Sequence, residues 1–475
     1  MEQTATLSAT QPRVVVKHPK LAMVSMLIGA FVGMFSETSL NIALPQLEAN
    51  LGVTTATVQW LVTGYMLIIG VVLPLNSLLT KWLTTRQIVI FGLLDFIVGA
   101  VIAALAPSFA LLLMGRMIQG IATGLILPLM FTVAMQVFPS VKLGTAMGVC
   151  ALVIMFAPAI GPTLTGLILA KLSWHWIFWS FVPFLAIALI FAVTSLENVG
   201  DLTHQKIDGL SILTSVIGFA GLVMGVSFAS DKGWGSPMVL GLFVVALIAL
   251  AIYIYRQLHL EQPILNLKIF ANPAFRAGAL LVMLDFGIIL SAMYILPMYL
   301  QNGLAVAVAM TGIIMLPGGV VNALVSAISG RLFDNFGAKW LTRLGFFIAL
   351  IGAGMLMMTN AHSSLAMVIA AHIVMMIGAP LAMSPAQTHA LNALNGPASG
   401  DGSTIMNTLQ QIVGAIATAL ATSLLVFGRT NSHLATPQAA FTAGAHVAIW
   451  LPIGLSVIAL LITFTTTSFK QSTKS

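Results

Sequence analysis

Apolar stretches of about 18 residues or more follow one another from Leu21 almost to the C-terminus, separated by charges, Pro/Gly clusters and short polar loops. Each is long enough to cross ~30 Å of hydrocarbon at ~1.5 Å per residue. Cutting the chain at those interruptions predicts helices near 21-44, 57-80, 87-106, 109-131, 145-170, 174-196, 208-229, 237-255, 274-301, 307-329, 339-359, 364-390, 402-427 and 443-466, fourteen in all. The first run is too long for the apolar core of a signal peptide and reads as an uncleaved span after a polar tail.

Composition fixes the solvent. Of 475 residues 59% are hydrophobic and 7% charged, with a mean hydropathy of +1.05, where a soluble domain carries roughly a quarter of its residues as charges. The fold class is therefore an all-α integral membrane protein. The net charge of +7 does not point to nucleic acid, because the basic residues stand singly in short loops and form no stripe. Fifteen Lys and Arg fall on the N-terminal side of the predicted topology and three on the other, with Arg116 left inside a span. By the positive-inside rule both termini are cytoplasmic. Cys150 is the sole cysteine, so there is no disulfide framework or Cys-based metal site, and no cofactor is expected. The longest cytoplasmic connection, Arg256 to Pro273, is a linker and leaves no room for a catalytic domain. No G-x-x-x-x-G-K-[ST] stretch exists for an ATP-driven pump, and no Ser/His pair is set for an intramembrane protease.

Few ionisable residues interrupt the spans. In "LLMGRMIQGIATGLILP", Arg116, Gly120 and Gly124 share one stripe of the fourth helix with Gln119 and Thr123 beside them. The glycines suit a close packing face, but a guanidinium in the membrane costs at least ~2.5–3.5 kcal/mol and persists only with a partner or a wet cavity. Glu37 in the first helix lies at about the depth of Arg116, some ~10 Å below the outer helix ends. We expect it to feel that charge, either as a proton site that biases a conformational equilibrium or as a permanent structural pair. Asp285 near the middle of the ninth span and Asp95 in the third have no basic neighbour one turn away. Asp285 is a candidate for proton or cation binding; Asp95 is nearer the cytoplasmic end and could simply reach solvent. Pro158, Gly161, Pro162 and Gly166 crowd the outer part of the fifth span, which is built to bend and pack closely. Gly330, Arg331, Asp334, Gly337 and Lys339 lie in the turn after the tenth helix, either as a solvated loop or as a charge clamp on neighbouring helix ends. His372 and His389, without carboxylates at ligand spacing, read as packing residues.

Together these stretches resemble the major facilitator superfamily and, within it, the fourteen-helix drug:proton antiporters. "GRMIQGIATGLILP" is similar to that family's fourth-helix motif, "APAIGPTLTG" to its fifth-helix antiporter motif, "SWHWIFWSFVP" to the signature that follows, and "GRLFDNFGAK" to the superfamily's cytoplasmic loop motif. In the N-terminal copy of that loop, Ser77, Lys81 and Thr84 replace the usual Gly, Asp and Gly. The usual first-helix acid would fall at Ser36, with Glu37 one residue, about 100°, around the helix.

The resemblance implies the major facilitator fold: two six-helix bundles at 21-200 and 274-466, two intervening helices at 201-256, a linker at 257-273, and cytoplasmic tails at 1-20 and 467-475. A central cavity would open alternately to either side. It implies export of amphipathic or cationic drugs in exchange for protons, with a lipid or metabolite exporter, or an uptake symporter, as the alternatives. Glu37, Arg116, Asp285 and Asp95 are then the candidates for proton coupling, and Glu37, Asn41, Gln119, Thr123, Asp285 and Tyr294 for the substrate cavity. The expected partners are a small amphipathic substrate, protons and the bilayer, with no nucleic acid, and the chain is expected to be a monomer in the cell membrane.

Overall fold

The computed structural model describes residues 19–465 except 139, 200–201, 203–207, 362, 395–396, 433 and 435. Arg13, Lys17, Lys206, Lys470 and Lys474, used above for orientation, lie outside the described residues, as do most of the two tails.

Fourteen helices among the described residues are long and apolar enough to cross a membrane. They are α1 (Pro19–Leu51), α2 (Trp60–Trp82), α3 (Thr85–Ala104), α4 (Phe109–Val137), α5 (Ser140–Lys171), α6 (His175–Ser195), α7 (Gly209–Lys232), α8 (Pro237–His259), α9 (Pro273–Met298), α10 (Val308–Phe333), α11 (Asn335–Met357), α12 (Leu365–Asn392), α13 (Pro397–Thr430) and α14 (Pro437–Thr465). Several run past the predicted edges, because hydropathy marks only the part inside hydrocarbon while helical bonding continues to wherever a cap satisfies the free backbone groups. Thr84 and Gln87 form a reciprocal cap at the start of α3, Asn272 caps α9 ahead of Pro273, and Gly52 ends α1 in the left-handed region at φ +62. The loop expected between α10 and α11 is almost absent. Helical geometry breaks only at Gly337, whose φ of 72 with ψ 168 is open to a residue without a Cβ.

The helices pack as two six-helix bundles, α1–α6 and α9–α14, joined along two seams: α5 against α10 and α2 against α13. In the first seam backbone meets backbone. A Cβ on Gly166 would lie 2.9 Å from the Val308 carbonyl, one on Gly312 would lie 2.7 Å from that of Pro162, and one on Gly319 would lie 2.7 Å from that of Ala159. Thr163 Oγ1 donates to the Gly312 carbonyl at 2.9 Å across the same seam. At the end remote from the termini, Gln301 Nε2 donates to the Ile42 carbonyl at 2.9 Å, tying the π-helical turn Tyr299–Gly303 to α1. The bundles are thus closed together at that end.

The inserted helices stand outside this frame. α7 rests on both α2 and α13, whereas α8 packs on α7 and on the short 3-10 turn Leu267–Ala271. Trp60 meets Phe228 of α7 at 5.4 Å between ring centroids, and Trp234 Nε1, just beyond α7, donates to Ser423 Oγ of α13 at 3.3 Å. At the other end of the pair, Arg256 holds Asp208 by a 2.8 Å ion pair. Burial alone would raise the Asp208 pKa, but the hydrogen bonds from Arg256 and Ser211 and the Arg256 charge outweigh it and hold the carboxyl below its ordinary value.

Candidate functional site

Arg116 is fully buried in the N-terminal bundle, and its guanidinium is satisfied almost entirely by neutral acceptors. Nε donates to the Leu61 carbonyl at 3.1 Å, Nη1 to Gln119 Oε1 at 2.8 Å and to Ser36 Oγ, and Nη2 to the Ser36 carbonyl at 3.2 Å. The Tyr65 ring lies under it at 4.0 Å. Tyr65 in turn donates to the Gly33 carbonyl at 2.9 Å and shares a 2.7 Å bond with Thr123. Gly120 and Gly124 make this compact by letting α2 close onto α4: a Cβ at Gly120 would sit 2.9 Å from the Tyr65 carbonyl, and one at Gly124 2.9 Å from Val72 Cβ. The stripe is therefore both a packing face and the cradle of a buried cation.

Ser36, where the resemblance places the usual acid, is the residue that Arg116 holds. Glu37, one step around α1, turns away from the guanidinium toward the space between the bundles. It is 2% exposed, it lies beside the side chain of Gln411 on α13, and it stays within electrostatic reach of Arg116. Its Oε2 has no hydrogen-bond partner. One carboxyl thus stands between a cation in its own bundle and an amide in the other.

Glu37 also lines a cavity of about 180 Å³ between the bundles. Pro158, Ala159 and Pro162 of α5 form part of one wall, Phe286 and Met293 of α9 another, and α10 and α12 a third. The cavity begins at mid-depth near Pro162, Met315 and His372 and runs to Ser326 and Gln387, toward the end of the molecule that carries the termini. The opposite end is shut by the seams described above.

Of the six residues expected in the cavity, only Glu37 lines it. Gln119 and Thr123 belong to the Arg116 cradle one layer behind. Asn41 is buried on α1 with Oδ1 unpartnered, and Tyr294 is buried near Thr422 of α13. Asp285 corrects the expectation most clearly. It is fully buried with both carboxyl oxygens unpartnered, yet it is its neighbours Phe286, Ile289, Leu290 and Met293 that face the cavity. Asp285 shares its helix face with Gly278, two turns earlier, which packs on Ala386 and Ala390 of α12. It therefore lies inside the C-terminal bundle. Asp95 is half-buried near Ala122 of α4, also away from the cavity.

The fifth-helix motif is divided among three tasks. Pro158 and Pro162 line the cavity, Gly161 admits Thr38 Oγ1 of α1 at 2.6 Å from where its Cβ would stand, and Gly166 forms the seam with α10. Overpacking so tight a contact costs about 1–3 kcal/mol. In the loop motif, Arg331 is exposed and Gly337 makes the break, while the side chains of Asp334 and Ser77 lie outside the described residues. Gly330 and Lys339 flank that turn.

Gln411 is a residue that sequence reading passed over, and His372, read from the sequence as a packing residue, lines the cavity. Both are neutral polar groups within apolar spans, and the one available signal for Gln411 was the polar pair Gln410–Gln411 in the middle of α13.

The profile of the Major Facilitator Superfamily matches residues 26–418. The lincomycin resistance protein LmrB of Bacillus subtilis is 45% identical over 93% of this chain and 94% of its own length, and its namesake in Listeria innocua is 45% identical over 94% and 96%. Among solved structures, the peptide transporter POT matches with a TM-score of 0.67 at 15% identity, covering 93% of this chain and 94% of that one, a likeness of fold. Two six-helix bundles about a central cavity, with a sequence profile spanning most of the chain, place this protein in the Major Facilitator Superfamily of membrane transporters.

Proposed function

We propose that the protein exports amphipathic drugs from the cell in exchange for protons, by alternating access of the cavity between the bundles. The observation that carries this reading is Glu37: a buried carboxyl lining the cavity, beside Gln411 of the other bundle and within reach of the Arg116 charge. Ionised, it balances Arg116 and faces the Gln411 amide. Protonated, it loses the attraction to Arg116 and to that amide dipole, which biases how the two bundles meet. A cationic substrate competes with the proton for the same carboxylate, so one cargo leaves as the other arrives. The resistance named for the 45% identical relatives supports a drug as cargo.

With both termini in the cytoplasm of a cell-membrane protein, the cavity faces inward and the Gln301–Ile42 and Thr163–Gly312 contacts shut the outer side. Transport needs one chain, since the cavity is complete within it.

Respiring everted vesicles test the reading. They should concentrate tetraphenylphosphonium when their lumen is acidified and lose it when a protonophore is added. Accumulation that survives collapse of the gradient rules out proton coupling, and movement in the opposite direction makes the protein an uptake symporter.

A further inference from the structure

The two halves of the cavity wall differ in chemistry. On the N-terminal side Met34, Ile154 and the α5 prolines surround a single acid, Glu37. On the C-terminal side α10 presents Asn322 and Ser326, one turn apart, and α12 presents His372, Ser384 and Gln387. Asn322 Nδ2 donates to Met376 Sδ at 3.5 Å, whereas His372 Nδ1 is buried without a partner; a purely hydrocarbon cation would leave it so, at about 1–3 kcal/mol.

His372 is the most constrained of them. It is 3% exposed, its Nδ1 has no hydrogen-bond partner, and its ring rests on Gly318, where a Cβ would collide with Nδ1 and Cε1. The adjacent Gly319 receives the Ala159 carbonyl of α5, and Thr38 Oγ1, next to Glu37, bonds the Pro158 carbonyl at 3.4 Å. Through these successive contacts His372 and Glu37 stand at one level of the cavity, on opposite bundles. In either tautomer a neutral imidazole carries one nitrogen that donates and one that accepts.

We infer that His372, with Asn322 and Gln387, forms a second recognition wall facing Glu37, which holds the hydroxyl groups of an amphiphile whose amine pairs with that carboxylate. The inference rests on the drug-export reading and narrows it from lipophilic cations in general to hydroxylated amines.

Two probes separate the walls in everted vesicles: lincomycin, a hydroxylated amine, and tetraphenylphosphonium, a cation with no hydrogen-bonding group. His372→Leu should lower the ratio of lincomycin to tetraphenylphosphonium transport by about tenfold, the worth of roughly 1.4 kcal/mol, and His372→Gln should restore most of it. Equal loss of both probes, or an unchanged ratio, in protein present at wild-type level overturns the assignment. Should His372→Leu fail to reach the membrane, Gly318→Ala, which drives the ring from its seat, should lower the same ratio, and an unchanged ratio there is equally fatal. Wild-type vesicles that take up tetraphenylphosphonium but not lincomycin overturn the wall alone; vesicles that take up neither overturn drug export and the wall with it.

Discussion

Glu37→Gln is expected to reduce gradient-driven accumulation of substrate to background and to weaken the binding of cationic substrate, while the protein reaches the membrane in normal amounts. Glutamine has nearly the shape of glutamate, so the packing beside Gln411 survives; what is lost is a group that changes charge. Removing one member of a buried ion pair usually costs about 3–5 kcal/mol, because the other charge is stranded. Arg116 is not stranded here, since Ser36, Gln119 and the Leu61 carbonyl accept its hydrogen bonds. A purely structural Glu37 predicts the reverse, poor expression with coupling intact in whatever protein survives. Quantitative blots, concentrative uptake with an imposed proton gradient, and counterflow without one distinguish the two.

Arg116→Lys should be the more damaging change, although it preserves charge. The guanidinium delivers its donors in a planar fork from Nε, Nη1 and Nη2 to acceptors on α1, α2 and α4 while lying on Tyr65. An ammonium offers three donors from one point and cannot reach the acceptors on all three helices in that geometry. With two buried acceptors unpaired at about 1–3 kcal/mol each, transport is expected to fall on the order of a hundredfold and the melting temperature in detergent to drop. A lysine variant with wild-type transport would remove Arg116 from the mechanism and leave it a packing group.

The threading was legible because lipid permits so few solutions: a chain with apolar runs of this length and so few charges has to cross as helices, and α1 to α14 follow the predicted order. The site was legible in part. Arg116 announced itself as an expensive charge, and Glu37 as an acid at matching depth. Depth along a helix is readable from residue counting, but the direction a side chain faces is not. Glu37 and Arg116 are therefore neighbours without being bonded, and Asp285 sits at a plausible depth on the face that enters the C-terminal bundle. Gln411, which lies beside Glu37, and His372, which lines the cavity, are neutral and stand on helices far from α1 in sequence. Only the packing of α12 and α13 against the rest brings them to Glu37.

The inserted hairpin bears on how the molecule moves. α7 leans on α2 through Phe228 and Trp60, and the chain just beyond it reaches α13 through Trp234 and Ser423, so it bridges the parting line between the two moving bodies near their closed end. Spreading that line from this flank must peel the bridge from one body or the other, while the opposite flank, where α5 meets α10, carries no such strap among the described residues. On the proposed cycle the two edges of the parting line are therefore unequal, one cross-linked by a third element and the other held by its own two helices alone.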